Sequence, residues 1–202
     1  MNIQQIRILN YPSKNAMGQL MRISDFQESQ TFKGKHFTWG ECRKWWKKKG
    51  IDIDDYWDGM NIPVKSIHEF DAIFRDKNQH EQEICNMFRD VEEPAYVIVI
   101  LRHDIATIAH ELSHTFFWCD EHYREEVRWE ICGIDFDAIK KGLHDQMGYP
   151  EETLQDEVVA YFIDGSSDIK KQLHIDIRPY KELTVNLRRI FTRYLNNILE
   201  GR

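Results

Sequence analysis

One junction constrains the fold more than any other stretch. Ala95-Tyr96-Val97-Ile98-Val99-Ile100-Leu101 is a continuous apolar run rich in β-branched residues, opened by Pro94 and closed by Arg102-His103-Asp104, and it reads as a buried strand. The run leads straight into a helical pattern. Asp104 is placed as its N-cap, and Ile105, Ala109, Leu112 and Phe116 share one face. That face is core, which leaves His110 and His114 on a separate stripe.

His110-Glu111-Leu112-Ser113-His114 has the form H-E-x-x-H. Residues four apart stand on the same helical face, so both imidazoles reach one ion, while Glu111, turned by about 100°, can approach a water at the metal. Zinc is the expected cofactor, since it accepts imidazole and carboxylate ligands and its catalytic sites keep one position open. Three fixed letters recur by chance, so the surroundings must carry the reading.

A catalytic zinc site needs a third protein ligand, and four residues compete for it. Asp120 stands where H-E-x-x-H-x-x-G-x-x-H/D places its last ligand, but Phe117 occupies the position of the glycine that turns the chain. His122 would have to fold back from a loop, and His103 lies at the wrong helical end. Glu157 follows His114 by 43 residues on a helix expected from Pro150 to Ile163, and it can present a carboxylate from a neighbouring helix. Glu157 is the preferred ligand, with Asp120 and His122 as the alternatives.

His110-Glu111-Leu112-Ser113-His114 followed by Asp156-Glu157-Val158-Val159-Ala160-Tyr161 resembles a gluzincin, the metallopeptidase class whose third ligand is a helix-borne glutamate. The resemblance spans two helices and the preceding strand, about a third of the chain, and points to no particular family. It implies that His110, His114 and Glu157 bind zinc, that Glu111 is the general base, and that residues 95–101 form an edge strand above the cleft. A peptide would add to that edge as a further strand. Thermolysin-like members carry an aspartate four residues after the glutamate to support a histidine, and here that residue is Tyr161. Asp156, Asp164 and Asp104 are then the candidates for holding an imidazole N–H. Tyr161, one turn after Glu157, is the preferred hydroxyl donor to an oxyanion, with Tyr123, His122 and His144 as others.

The rest of the chain supplies helices. Ile6 to Leu9 suggests a short strand, and residues 16–37 carry no decisive period. Residues 38–50 form a helix capped by Thr38, with three tryptophans and five basic residues. Asp52, Asp54, Asp55 and Asp58 follow at once and cancel its field, and a net charge of −7 argues against a general nucleic-acid binder. The acidic run is no calcium loop, because Tyr56 and Trp57 stand where an oxygen ligand and a glycine are needed. Residues 66–88 make one or two helices. A charged helix to about Ile131 follows Asp120, then a helix from Asp135 or Asp137 to Met147, an extended piece around 173–177, and a terminal helix from Lys181 to Leu199.

Together these give an α+β, mainly helical fold: a single zincin-like domain with a small sheet packed on the H-E-x-x-H helix. Residues 1–90 are accessory, 91–165 form the zinc-site core and 166–202 a helical C-terminal part. No apolar run reaches the ~20 residues that span a bilayer, the N-terminus lacks signal-peptide features, and Cys42, Cys85, Cys119 and Cys132 form no C-x-x-C pair, which together place the chain in a cytosol without a membrane partner. The expected activity is zinc-dependent hydrolysis of a protein or peptide. A non-catalytic zinc-bearing module and a metal-free interaction protein are the rivals, and the oligomeric state is not legible.

Overall fold

The structure is a computed structural model describing residues 6–29, 31–55, 57–101, 105–165 and 167–200. Its content is α+β and mostly helical, with one three-stranded sheet. The chain divides into two compact units, residues 6–101 and 105–200 of those described. The division falls between the buried strand and the histidine helix, which the sequence partition had grouped within 91–165.

In the first unit, β1 (Ile6–Tyr11), β2 (Gly59–Pro63) and β3 (Tyr96–Leu101) form a sheet of order β1-β3-β2. β1 runs parallel to β3, Ile6 opposite Tyr96, and β2 runs antiparallel, Met60 opposite Val99. The expectation of an edge strand at 95–101 is corrected here: β3 is the central strand and both its edges are paired. Its unbroken apolar run is the signature of burial on both faces, and Val97 to Ile100 are all buried. A substrate peptide therefore has no open β3 edge to join.

Around the sheet lie α1 (Lys14–Gly18), α2 (Met21–Glu28), α3 (Trp39–Lys48), α4 (Val64–Ile73) and α5 (Gln79–Phe88). The stretch without decisive period thus holds two short helices. Residues 66–88 resolve into two helices because Asn78 opens α5 with a capping box, its side chain accepting from Glu81 N–H while Glu81 accepts from Asn78 N–H. Thr38 and Glu41 cap α3 in the same way. Trp46 is buried while Lys44, Lys47 and Lys48 face water, so the tryptophans of α3 serve the core. Gly18 is required by a close approach: a Cβ there would stand 2.3 Å from the carbonyl oxygen of Ile53.

The core of this unit also holds a charge. Arg22 is fully buried, its guanidinium forked onto Glu81 at 2.8 and 2.7 Å and lying 4.9 Å from the Phe74 ring centre.

The second unit comprises α6 (Ile105–Cys119), α7 (Glu121–Glu130), α8 (Asp137–Met147), α9 (Leu154–Asp164), α10 (Ser167–Gln172) and α11 (Lys181–Leu199). α9 is its hub, touching α6, α8, α10 and α11. Every residue from Asp156 to Ile163 is buried, and only a helix surrounded by others keeps so continuous a run dry. α11 packs Leu183, Leu187, Ile190 and Phe191 inward, as its period requires.

Several boundaries depart from expectation. Neither Asp135 nor Asp137 is the N-cap of α8, a position held by Phe136; Asp135 instead accepts from the Asp137 N–H at 2.9 Å. Residues 173–177 pair with no strand among those described, and Pro179 lies in a 3-10 turn. Asp104 and His103 lie outside the described residues. No helix among those described is long and apolar enough to cross a membrane.

Candidate metal centre

The expected ligands converge. His110, His114 and Glu157 offer one atom each, all within 4.8 Å of one another, and they are the one such group among the described residues. α6 supplies the two imidazoles from adjacent turns, with ring centres 4.9 Å apart. α9 runs antiparallel to α6: Asp164, late in α9, meets His110, and Asp156, early in α9, meets His114.

Those two contacts fix the chemistry of the rings. His110 Nδ1 donates to Asp164 Oδ2 at 2.9 Å and His114 Nδ1 donates to Asp156 Oδ2 at 2.8 Å. A carboxylate accepts only, so each Nδ1 carries the proton and each Nε2 is directed elsewhere. Both Nε2 atoms face Glu157, His110 at 3.6 Å from Oε2 and His114 at 3.7 Å from Oε1. These separations are too long for hydrogen bonds. They match the edge of a tetrahedron around zinc, about 3.4 Å for ligand bonds near 2.1 Å.

Glu157 Oε2 provides an independent test of fit. It is buried and accepts no hydrogen bond, a costly state for a carboxylate oxygen unless a cation completes it. The local field points the same way. Burial alone would lower the His110 and His114 pKa values, yet the surrounding carboxylates outweigh it and lift His114 to about 9 and His110 well above its usual value. Two imidazole nitrogens and one carboxylate oxygen in an acidic pocket suit a divalent ion, and zinc in particular.

The other candidates stand apart. Asp120 is the N-cap of α7, its Oδ1 accepting from Tyr123 N–H at 3.0 Å, and His122 is exposed on the first turn of that helix. Tyr123 is a core residue packed on Phe116 and Tyr194. His144 is spent on the backbone, its Nδ1 donating to the Tyr149 carbonyl at 2.8 Å. Glu111 is buried on α6, and its charge acts on both His110 and Tyr149.

Tyr161 belongs to the site but not by itself. Its ring lies 4.8 Å from that of His110, and its hydroxyl is 3.1 Å from the Tyr149 hydroxyl. Sequence reasoning missed Tyr149, because Gly148-Tyr149-Pro150 reads as helix punctuation. The punctuation is what aims the ring: Gly148 takes the left-handed conformation at φ 80°, and the Gly148 and Tyr149 N–H groups close on His144 and Leu143 carbonyls. Burial first, then the nearby Glu157 charge and Tyr161, keep the Tyr149 phenol protonated well above its usual range.

A further contact joins the far end of α6 to this centre. Trp118 Nε1 donates to Asp156 Oδ2 at 3.0 Å, the oxygen that already accepts from His114.

No family model matches the chain, and neither curated proteins nor solved structures yield a match.

Proposed function

We propose that the chain is a zinc-dependent metallopeptidase of gluzincin type, acting on a protein or peptide in the cytosol. The reading stands on its own residues. The observation that carries it is the Glu157 carboxylate, its Oε2 buried and without a hydrogen bond, facing one Nε2 atom with each oxygen, the opposite nitrogens of both rings being committed to carboxylates. Three ligand atoms from two helices converge on one point at separations too long for hydrogen bonds, which a divalent ion would bridge.

His110, His114 and Glu157 would hold the ion. When bound, zinc acts as a Lewis acid that polarises a scissile carbonyl and brings the pKa of a water to about 7. Glu111 would serve as general base, taking a proton from the attacking water and returning it to the leaving amine. Tyr149 and Tyr161 place two hydroxyls 3.1 Å apart, and a hydroxyl of this pair would donate to a developing oxyanion. Asp156 and Asp164 hold the two imidazoles in the tautomer that frees Nε2.

The rival readings, a structural zinc module and a metal-free interaction protein, give different outcomes in one experiment. Metal analysis of purified protein should find about one zinc per chain in the wild type and in Glu111→Gln, and none in His114→Ala. Incubation with a lysate and mapping of new peptide termini should find cleavage by the wild type alone. Wild-type protein that cannot be loaded with zinc defeats the whole reading, and zinc without Glu111-dependent cleavage leaves only the structural module.

A further inference from the structure

His110, His114 and Trp118 stand at i, i+4 and i+8 on α6, so the indole lies on the histidine face one turn beyond His114. Trp118 is 54% exposed, yet its polar edge is turned inward onto Asp156. The backbone that presents it is fixed by Arg124, whose Nη1 donates to the Phe117 carbonyl at 3.0 Å. Satisfying an indole N–H does not require this arrangement, because a half-exposed ring can give its proton to water.

The benefit falls on Asp156. Its Oδ2 carries both donors, His114 Nδ1 at 2.8 Å and Trp118 Nε1 at 3.0 Å, while its Oδ1 is buried with no hydrogen-bond partner. With His114 as sole donor, the carboxylate could turn and offer either oxygen, and the imidazole would follow. A second donor approaching from a different turn of α6 fixes which oxygen faces the ring.

We propose that Trp118 is a positioning residue for the metal centre: its N–H pins the Asp156 carboxylate, which in turn keeps His114 Nε2 aimed at the point shared with His110 and Glu157. The inference rests on the metal-centre reading and extends the site by one residue that sequence alone marks only as a helix-end aromatic.

The test is zinc affinity by chelator competition on the full chain. Trp118→Phe removes the N–H and keeps an aromatic ring at an exposed position, and it should weaken zinc binding about ten-fold, the lower end for loss of a partner that supports a ligand. The same change made in Asp156→Ala protein should have no further effect, because Trp118 acts through that carboxylate. Circular dichroism and the thermal midpoint check that each variant is folded. In metal-free protein, the indole N–H resonance that disappears in Trp118→Phe should shift in Asp156→Ala. A zinc-binding wild type with an equally tight Trp118→Phe variant overturns this inference alone, as does a full additional loss in the Asp156→Ala background. Wild-type protein that takes up no zinc overturns the metal centre and this inference together.

Discussion

Asp25 is a buried acid on α2 whose Oδ2 accepts from Trp46 Nε1 at 2.8 Å and from Cys42 Sγ at 3.2 Å. It is 3% exposed, and burial, only partly offset by those two donors and Lys49, lifts its pKa from 3.8 to about 6. A group whose pKa is raised by folding stabilises the fold fully below its unfolded value and loses that contribution as pH rises through the folded one. Going from pH 3.5 to pH 8 therefore costs the first unit about 3 kcal/mol through Asp25 alone, from about two pKa units at 1.36 kcal/mol each. Asp25→Asn mimics the neutral acid, and its amide oxygen can accept both donors. The variant should match wild type in urea unfolding near pH 4 and exceed it by about 2–3 kcal/mol at pH 8. Taking the difference between the two proteins at each pH cancels acids such as Asp71 and Asp76, whose pKa values are lowered and whose effect runs the other way. A difference that stays flat from pH 4 to pH 8 refutes the reasoning.

Two further outcomes follow from the same kind of accounting. Arg22→Met leaves the Glu81 carboxyl with no solvent exposure and no partner for either oxygen except the Asn78 N–H, so it should destabilise the first unit by about 3–5 kcal/mol in urea unfolding. Adding Glu81→Leu should recover much of that loss, short of the capping-box contribution. In the second unit, Tyr149→Phe and Tyr161→Phe should each keep zinc and lower kcat, the former by about 100-fold if it is the hydroxyl that faces substrate; unchanged kcat in both removes the pair from the proposed chemistry.

Much of the candidate site was legible because helical spacing is a local property. His110 and His114 share a face by arithmetic alone, and Glu157 is recognisable as a carboxylate on the next suitable helix. The acids at 156 and 164 were visible as candidates, but which histidine each serves depends on α6 and α9 packing antiparallel, and pairing direction is not a local property. Tyr149 was hidden for a similar reason: a left-handed glycine points a loop tyrosine back into its own unit, and only the folded chain shows where it lands.

The same division holds for the fold. Strand and helix types at 6–11, 39–48, 96–101 and 181–199 follow from apolar period and capping residues, which act within a few residues of one another. The edge position expected for residues 95–101 did not follow, because an apolar run says that a strand is covered on its faces and says nothing about its edges. What covers those edges is β1, some 90 residues earlier, and β2, some 35 residues earlier. By itself the sequence determined which residues on α6 and α9 are candidates for metal chemistry and which face of their own helix they occupy. Only the tertiary structure decided what each one touches, because long-range pairing is set by the packing of whole elements.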